Sequence, residues 1–198
     1  MPLGANKAAI MGVAGVSTAD VVLLSSQTAD GDSAISFTSG ITSTYGEYVF
    51  AIYNLNPATD DESLGFQGDA NGGDDGYNDF NITSTFFRAY HNEADDGAAL
   101  AYQADFDLAE STSFQTLTRD AGAGADESCA GELHLFNPSN ATYVKHFYST
   151  FVTNTKDDAI HNSYASGYIN TTTAINAIQF KMSNSSAFDA VIKMYGVG

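Results

Sequence analysis

The densest group of metal-ligating side chains lies in GDANGGDDGYND, from Gly68 to Asp79. Asp69, Asn71, Asp74, Asp75 and Asp79 offer hard oxygen donors on a glycine-rich segment. Calcium takes six to eight such oxygens and tolerates irregular loops. The spacing departs from the EF-hand pattern D-x-[DN]-x-[DN]-G with a later Glu, and a solvated loop between strands has the same composition. Calcium is the one cofactor this sequence suggests, with these five residues as its candidate ligands.

Other chemistry is thinly supplied. The four histidines, His91, His134, His146 and His161, are scattered, and no HExxH, GxSxG or P-loop pattern occurs. His134 and His146 flank a candidate hairpin and would hold a metal only if a carboxylate joined them. Polar faces of strands at an interface or surface are the simpler account of both. The single cysteine, Cys129 in DESCAGEL, excludes an internal disulfide and a cysteine zinc site. With no motif supplying a base to activate it, it reads as a small apolar residue at the mouth of a strand. Carboxylate pairs occur in DDES, EADDG and DFDLAE, but a chain with 24 acids produces them without selection for a glycosidase pair. The expectation is a protein that is not an enzyme.

The elements that must position these residues are strands. The chain has 198 residues, 43% of them apolar, which suffices for one domain with its own core. EYVFAIYNL sets Tyr48, Phe50 and Ile52 against Val49, Ala51, Tyr53 and Leu55, apolar on both sides, as in a central buried strand. ATYVKHFYSTFVTN sets Tyr143, Lys145, Phe147 and Ser149 against Val144, His146 and Tyr148. HLFNPSNATYV reads as a hairpin turning at Asn137–Asn140. TADGDS, Thr28–Ser33, is a turn signal, and EADDGAALAYQADFD holds the only candidate helical turns.

AIQFKM and VIKMYG are two closing runs that alternate in phase. A final strand of this kind is expected to insert beside earlier ones and close a sheet. About nine or ten strands at this spacing predict an all-β antiparallel sandwich, with a jelly roll as the expected form. Residues 29–198 form that domain. Residues 1–28, rich in Ala, Gly, Val and Ser, read as an N-terminal arm for assembly contacts or as a further strand.

The formal net charge of −17, with seven Lys plus Arg, disfavours nucleic acid and anionic membrane as partners. No apolar run reaches the length of a membrane span. The first residues have only Lys7 as a basic group and a stretch diluted by Gly12 and Gly15, unlike an export signal. Synthesis in a cytoplasm without cleavage is expected.

Several stretches carry a resemblance: AISFTSGITSTYGEYVFAIYNLNPATD, ITSTFFRAYHNE, GELHLFNPSNATYVKHF, GYINTTTAINAIQFKMSN and IKMYGVG. Together they resemble a set of uncharacterised virion structural proteins of marine and cyanobacterial tailed phages. The similarity covers about Ser33 to Gly198 and is strongest at the closing strands, HLFNPS and GYINTTTAI. NKAAIMGVAG is similar to N-termini in the same set.

The resemblance implies a virion component with a β-sandwich domain, made in the host cytoplasm, and hands over no catalytic residues. The expected role is a decoration or cement protein on the capsid exterior, contacting major capsid or tail proteins. Self-association, as a trimer, is expected by analogy with fibre-like jelly rolls. A tail-associated or fibre-tip protein touching a host surface glycan is the alternative, and for it Tyr77, Phe80 and Tyr90 are candidate exposed aromatics. A carbohydrate-binding sandwich module of a secreted bacterial protein is the reading from another class.

Overall fold

The computed structural model describes residues 21–74 and 76–198. Among them are twelve strands and one short 3-10 turn, Ser183–Ser185, and no α-helix. The strands are β1 (Val21–Asp32), β2 (Ala34–Phe37), β3 (Glu47–Pro57), β4 (Leu64–Asp69), β5 (Ile82–Asn92), β6 (Ala98–Tyr102), β7 (Gln115–Thr116), β8 (Cys129–Phe136), β9 (Lys145–Thr155), β10 (Ala159–Ile169), β11 (Ala177–Met182) and β12 (Phe188–Val197).

Two antiparallel sheets result. One has eight strands in the order β1-β12-β3-β8-β9-β10-β5-β6, and the other has four in the order β2-β11-β4-β7. The orders are nested. β1 and β2, β3 and β4, β7 and β8, and β11 and β12 each pass from one sheet to the other. The two orders β1-β12-β3-β8 and β2-β11-β4-β7 therefore run in parallel along the chain. The last strand, β12, lies between β1 and β3, and β11 lies between β2 and β4. The closing runs are therefore inserted strands.

The alternation of apolar residues explains why the sheets stack. Phe50 of β3 meets Phe180 of β11 with ring centroids 5.3 Å apart, and Phe66 of β4 meets Phe147 of β9 at 5.0 Å. Phe37 packs edge-on against both Phe50 and Phe180. Each such ring removes a large apolar area from water, the main favourable term in folding. The larger sheet has four more strands than the smaller one and extends past it toward β5 and β6. There its inner face is covered by the segment after β6, where Phe106 packs on Phe86 at 5.4 Å and the Leu108 amide donates to Ser84 Oγ.

Three local expectations change. Leu55 shares the inner face with Phe50 and Ile52, not the outer face with Tyr53. Asn54 at φ 50° forms a bulge between Ile52 and Leu55 that advances the alternation by one residue. The outer side of β3 is half-open, with Tyr53 exposed, so the strand is not buried on both faces. The candidate helical segment instead contains β6, paired along β5.

At the N-terminal side, Val21–Thr28 belongs to β1 and pairs with β12. Met1–Asp20, the rest of the expected arm, lies outside the described residues. The Thr28–Ser33 signal does not end the strand at once. Gly31, at φ 75°, makes a bulge whose amide donates to Asp189 Oδ1 at 2.8 Å, and the chain crosses to the other sheet at Ser33.

Candidate interaction face

Strands β9, β10, β5 and β6 pair without a register shift. Alternation is therefore uninterrupted, and one set of side chains points away from the core along all four. The outward positions are 146–154 on β9, 160–168 on β10, 83–91 on β5 and 98–102 on β6, taking every second residue. None of them is Asp, Glu, Lys or Arg, although 24 acids and seven bases occur in the chain. The set instead includes Tyr148, Val152, Ile160, Phe87, Leu100 and Tyr102, all exposed. Phe87 and Tyr164, directly opposed in the ladder, stack with centroids 4.8 Å apart and planes 14° apart. Single exposed apolar residues are ordinary, but a contiguous uncharged aromatic sheet face marks an interaction surface.

The face continues onto β8. His134 stacks on Tyr148 at 4.4 Å, and Phe136 leans on Tyr148 at 5.8 Å. His134 Nδ1 lies 2.5 Å from Glu47 Oε1, and its Nε2 is 3.2 Å from Glu132 Oε1 without hydrogen-bond geometry. Burial, followed by the charges of Glu47 and Glu132, pushes the Tyr148 phenol above its ordinary pKa. At the hairpin end, Phe136, Tyr143, His146, Asn137, Asn140 and Thr142 line a recess of about 500 Å³. Its size falls within the range of small-ligand pockets, about 300–1,000 Å³. The expected hairpin is present, with a loop of residues 137–144 between β8 and β9 and Asn140 Oδ1 accepting the Thr142 and Tyr143 amides. Phe136 and Tyr143 both line this recess.

In the acidic loop, the first of the five candidate ligands is already engaged with backbone. Asp69 is fully buried at the end of β4, and its Oδ2 accepts the amides of Asn71 at 2.9 Å and Gly73 at 2.6 Å. The carboxylate thus closes its own loop as a turn cap. Its Oδ1 is buried without a hydrogen-bond partner among the described residues. Asn71, Asp74 and Asp79 are exposed, and Asp75 lies outside the described residues. Among the described residues no three His, Cys, Asp or Glu side chains are placed to hold a metal ion. Tyr77, expected in the open, is buried, with its ring over Gly73, and Tyr90 is half-buried against Arg88. Among these candidate aromatics, Phe80 is partly exposed and packs on the core.

The histidines do not converge on a nucleophile. His91 meets Asp95, His134 meets the two glutamates, His146 packs on Tyr168, and His161 meets Arg88. Cys129 opens β8, 1% exposed, and burial raises its thiol pKa to about 11. At neutral pH it is a protonated apolar side chain.

The uncharged face was readable in principle: in KHFYSTFVTN, AIHNSYASGYI and ITSTFFRAYHN, alternate positions lack charge. Which alternate set faces outward, and that the three strands are neighbours, required the fold. No helix among the described residues is long and apolar enough to cross a membrane.

No protein-family model matches the chain, and no curated protein is similar to it. Among solved structures, it is similar to a Bacteroides ovatus protein described as "STRUCTURAL GENOMICS, UNKNOWN FUNCTION", at 7% identity and a TM-score of 0.20, over 68% of this chain and 45% of that one. The chain therefore spans less than half of that protein's length, and so loose a superposition carries no argument about fold or function.

Proposed function

We propose that the protein is a non-enzymatic structural component of a tailed-phage particle. In this reading it is a jelly-roll sandwich that decorates the capsid exterior and assembles through the outer face of β9-β10-β5-β6. The carrying observation is the absence of any charged residue at the outward positions of four adjacent strands in so acidic a chain. Charge is depleted at the core of protein interfaces while Tyr and Phe are enriched, and this face has both properties. The nested strand order supports the jelly-roll form. β6, at the sheet edge, reads AALAY and is free of the charges that usually block edge pairing, which favours addition of a neighbouring chain. A trimer of the chain on the particle is the assembly proposed. The strong negative charge on the remaining surface keeps free subunits apart until they meet their seat.

The role is tested by tracing the chain in cryo-electron microscopy maps of purified virions and by deleting it. Fragile heads after deletion support a cement role. Absence of the chain from purified particles sinks the reading. One observation favours a second reading: the recess walled by Phe136, Tyr143 and His146 offers aromatic rings on which a sugar can stack. A tail-tip protein, or a secreted glycan-binding module, would use it so. Intact heads that fail to adsorb would identify the first of these, and glycan binding by the purified chain without any particle association would identify the second.

A further inference from the structure

A chain with a formal charge of −17 has two arginines, Arg88 and Arg119, and the fold brings both to one recess of about 340 Å³. Arg88 projects from the inner side of β5, His161 from the inner side of β10, and Arg119 and Asp120 follow β7. Tyr90, Asn92, Thr155, Asp157 and Ala159 complete the wall. The recess lies on the opposite side of the sheet from the uncharged face and does not depend on the role proposed for that face.

The two guanidinium groups differ in their compensation. Arg119 Nε lies 2.9 Å from Asp120 Oδ2, and its Nη1 donates to Gln103 Oε1 at 2.5 Å. Arg88 has no carboxylate within ion-pair distance among the described residues. Its Nη1 donates to His161 Nε2 at 2.6 Å, its guanidinium sits 4.6 Å from the Tyr90 ring centre, and its Nε is buried without a hydrogen-bond partner. For His161 to accept from a guanidinium, its Nε2 must carry no proton. Burial and the Arg88 charge hold the ring's pKa below its ordinary value, which keeps it neutral. Neutral His161 therefore leaves the Arg88 charge in place. The other acid of the recess, Asp157, is exposed to solvent.

A guanidinium cannot shed its proton, and the opposite charge that acts on partly buried Arg88 is Asp120, which lies beyond ion-pair distance and already pairs with Arg119, so the compensation is incomplete. Arginine's planar fork matches carboxylate, sulfate and phosphate groups. We propose that the recess binds an oxyanion, received by Arg88 with Arg119 beside it, as the acid head of a small molecule or as a free ion. Its volume is within the range of small-molecule sites, about 300–1,000 Å³, so it can take a body of sugar size behind the acid group.

The test is a titration of the full chain, labelled with nitrogen-15, by sodium sulfate and separately by sodium glucuronate. Ionic strength is held at about 0.15 M so that screening of the protein's own charge stays constant. The readout is the Nε–H resonance of Arg88 in the parent and, in variants at position 88, that of Arg119 in the same recess. The expected result is a saturable shift of that signal, with affinity about tenfold or more weaker in Arg88→Gln and unchanged in Lys193→Gln, which alters a lysine of another strand. Saturation by sulfate alone identifies a free-ion site, and tighter binding of glucuronate identifies an organic acid; either supports the proposal. An Arg88 signal that moves with neither anion overturns it, as does equal affinity in a folded Arg88→Gln variant. If Arg88→Gln does not fold, Arg88→Lys, which keeps the charge and loses the fork, takes its place under the same criterion.

Discussion

His134 and Tyr148 lie face to face across the β8–β9 ladder, with ring planes 11° apart and centroids 4.4 Å apart. Glu47 and Glu132 hold the imidazole from two sides, and their charges add to burial in raising the Tyr148 phenol pKa. Removing either negative charge should lower it. Glu47→Gln and Glu132→Gln are each expected to bring the Tyr148 titration toward the ordinary tyrosine value, followed by NMR of the ring. An unchanged titration in both variants would separate the phenol from this cluster.

The uncharged outer face should tolerate a charge in the isolated chain and reject it in the assembly. Val152 and Ile160 are 47% and 45% exposed. Val152→Glu and Ile160→Glu are expected to change folding stability by no more than about 0.5 kcal/mol. Under the proposed role, incorporation into phage particles, scored by mass spectrometry of purified virions, should nevertheless fall sharply. Normal incorporation of both variants would remove the face from the assembly.

Gly131 on β8 stands opposite Phe151 on β9. A Cβ built there would lie 2.3 Å from the Thr150 carbonyl oxygen and 2.6 Å from the Phe151 ring. Backbone cannot move aside as a flexible side chain can, so Gly131→Ala is expected to cost about 2 kcal/mol or more, by urea denaturation. A melt identical to the parent would show that the ladder has slack there.

Cys129 gives a pH dependence of known sign. Its folded pKa, raised to about 11, exceeds the unfolded value. The folded state therefore binds the thiol proton more tightly, and this contribution is complete below about pH 8.5, the ordinary thiol value. It is lost as pH rises toward 11, by an amount on the order of 2–3 kcal/mol. The stability difference between the parent and Cys129→Ala should shrink or reverse across that window. A difference constant from pH 8 to 11 would contradict the burial argument. A thiol reagent at pH 8 should label Cys129 only after unfolding.

Asp69 makes the acidic loop a test of structure against ligand. Asp69→Ala leaves two loop amides without their acceptor and is expected to cost about 3 kcal/mol. Millimolar calcium should leave the parent's Tm unchanged, since one carboxylate of the five candidate ligands is already committed to backbone. A calcium-dependent rise in Tm, abolished by Asp74→Asn with Asp79→Asn, would restore the loop as a cation site.

The strands were legible because alternation is a local property. That Phe147 and Tyr148 lie on opposite faces follows from neighbouring residues alone. What alternation cannot show is where it slips: Leu55 changes face because Asn54 adopts a positive φ, which no residue type makes obligatory. Lys145 illustrates a second limit. Its strand phase places it with Phe147, yet it is buried because its ammonium donates to the carbonyls of Tyr143 and Thr171, the latter 26 residues away. The Arg88–His161 contact joins strands 73 positions apart, and Arg119 reaches the same recess from a loop. Such a convergence is a property of topology, and a reader of consecutive residues has no route to it.

The Gly31–Asp189 hydrogen bond joins positions 158 apart, and between them β12 occupies a slot bounded by β1 and β3. During translation β1 and β3 emerge early and wait with that slot empty, their ladder edges unsatisfied, until residue 197 clears the ribosome. Early pairing of β1 directly with β3 is the natural misstep. Maturation should therefore wait on β12, and it would benefit from a holding chaperone while the gap stays open.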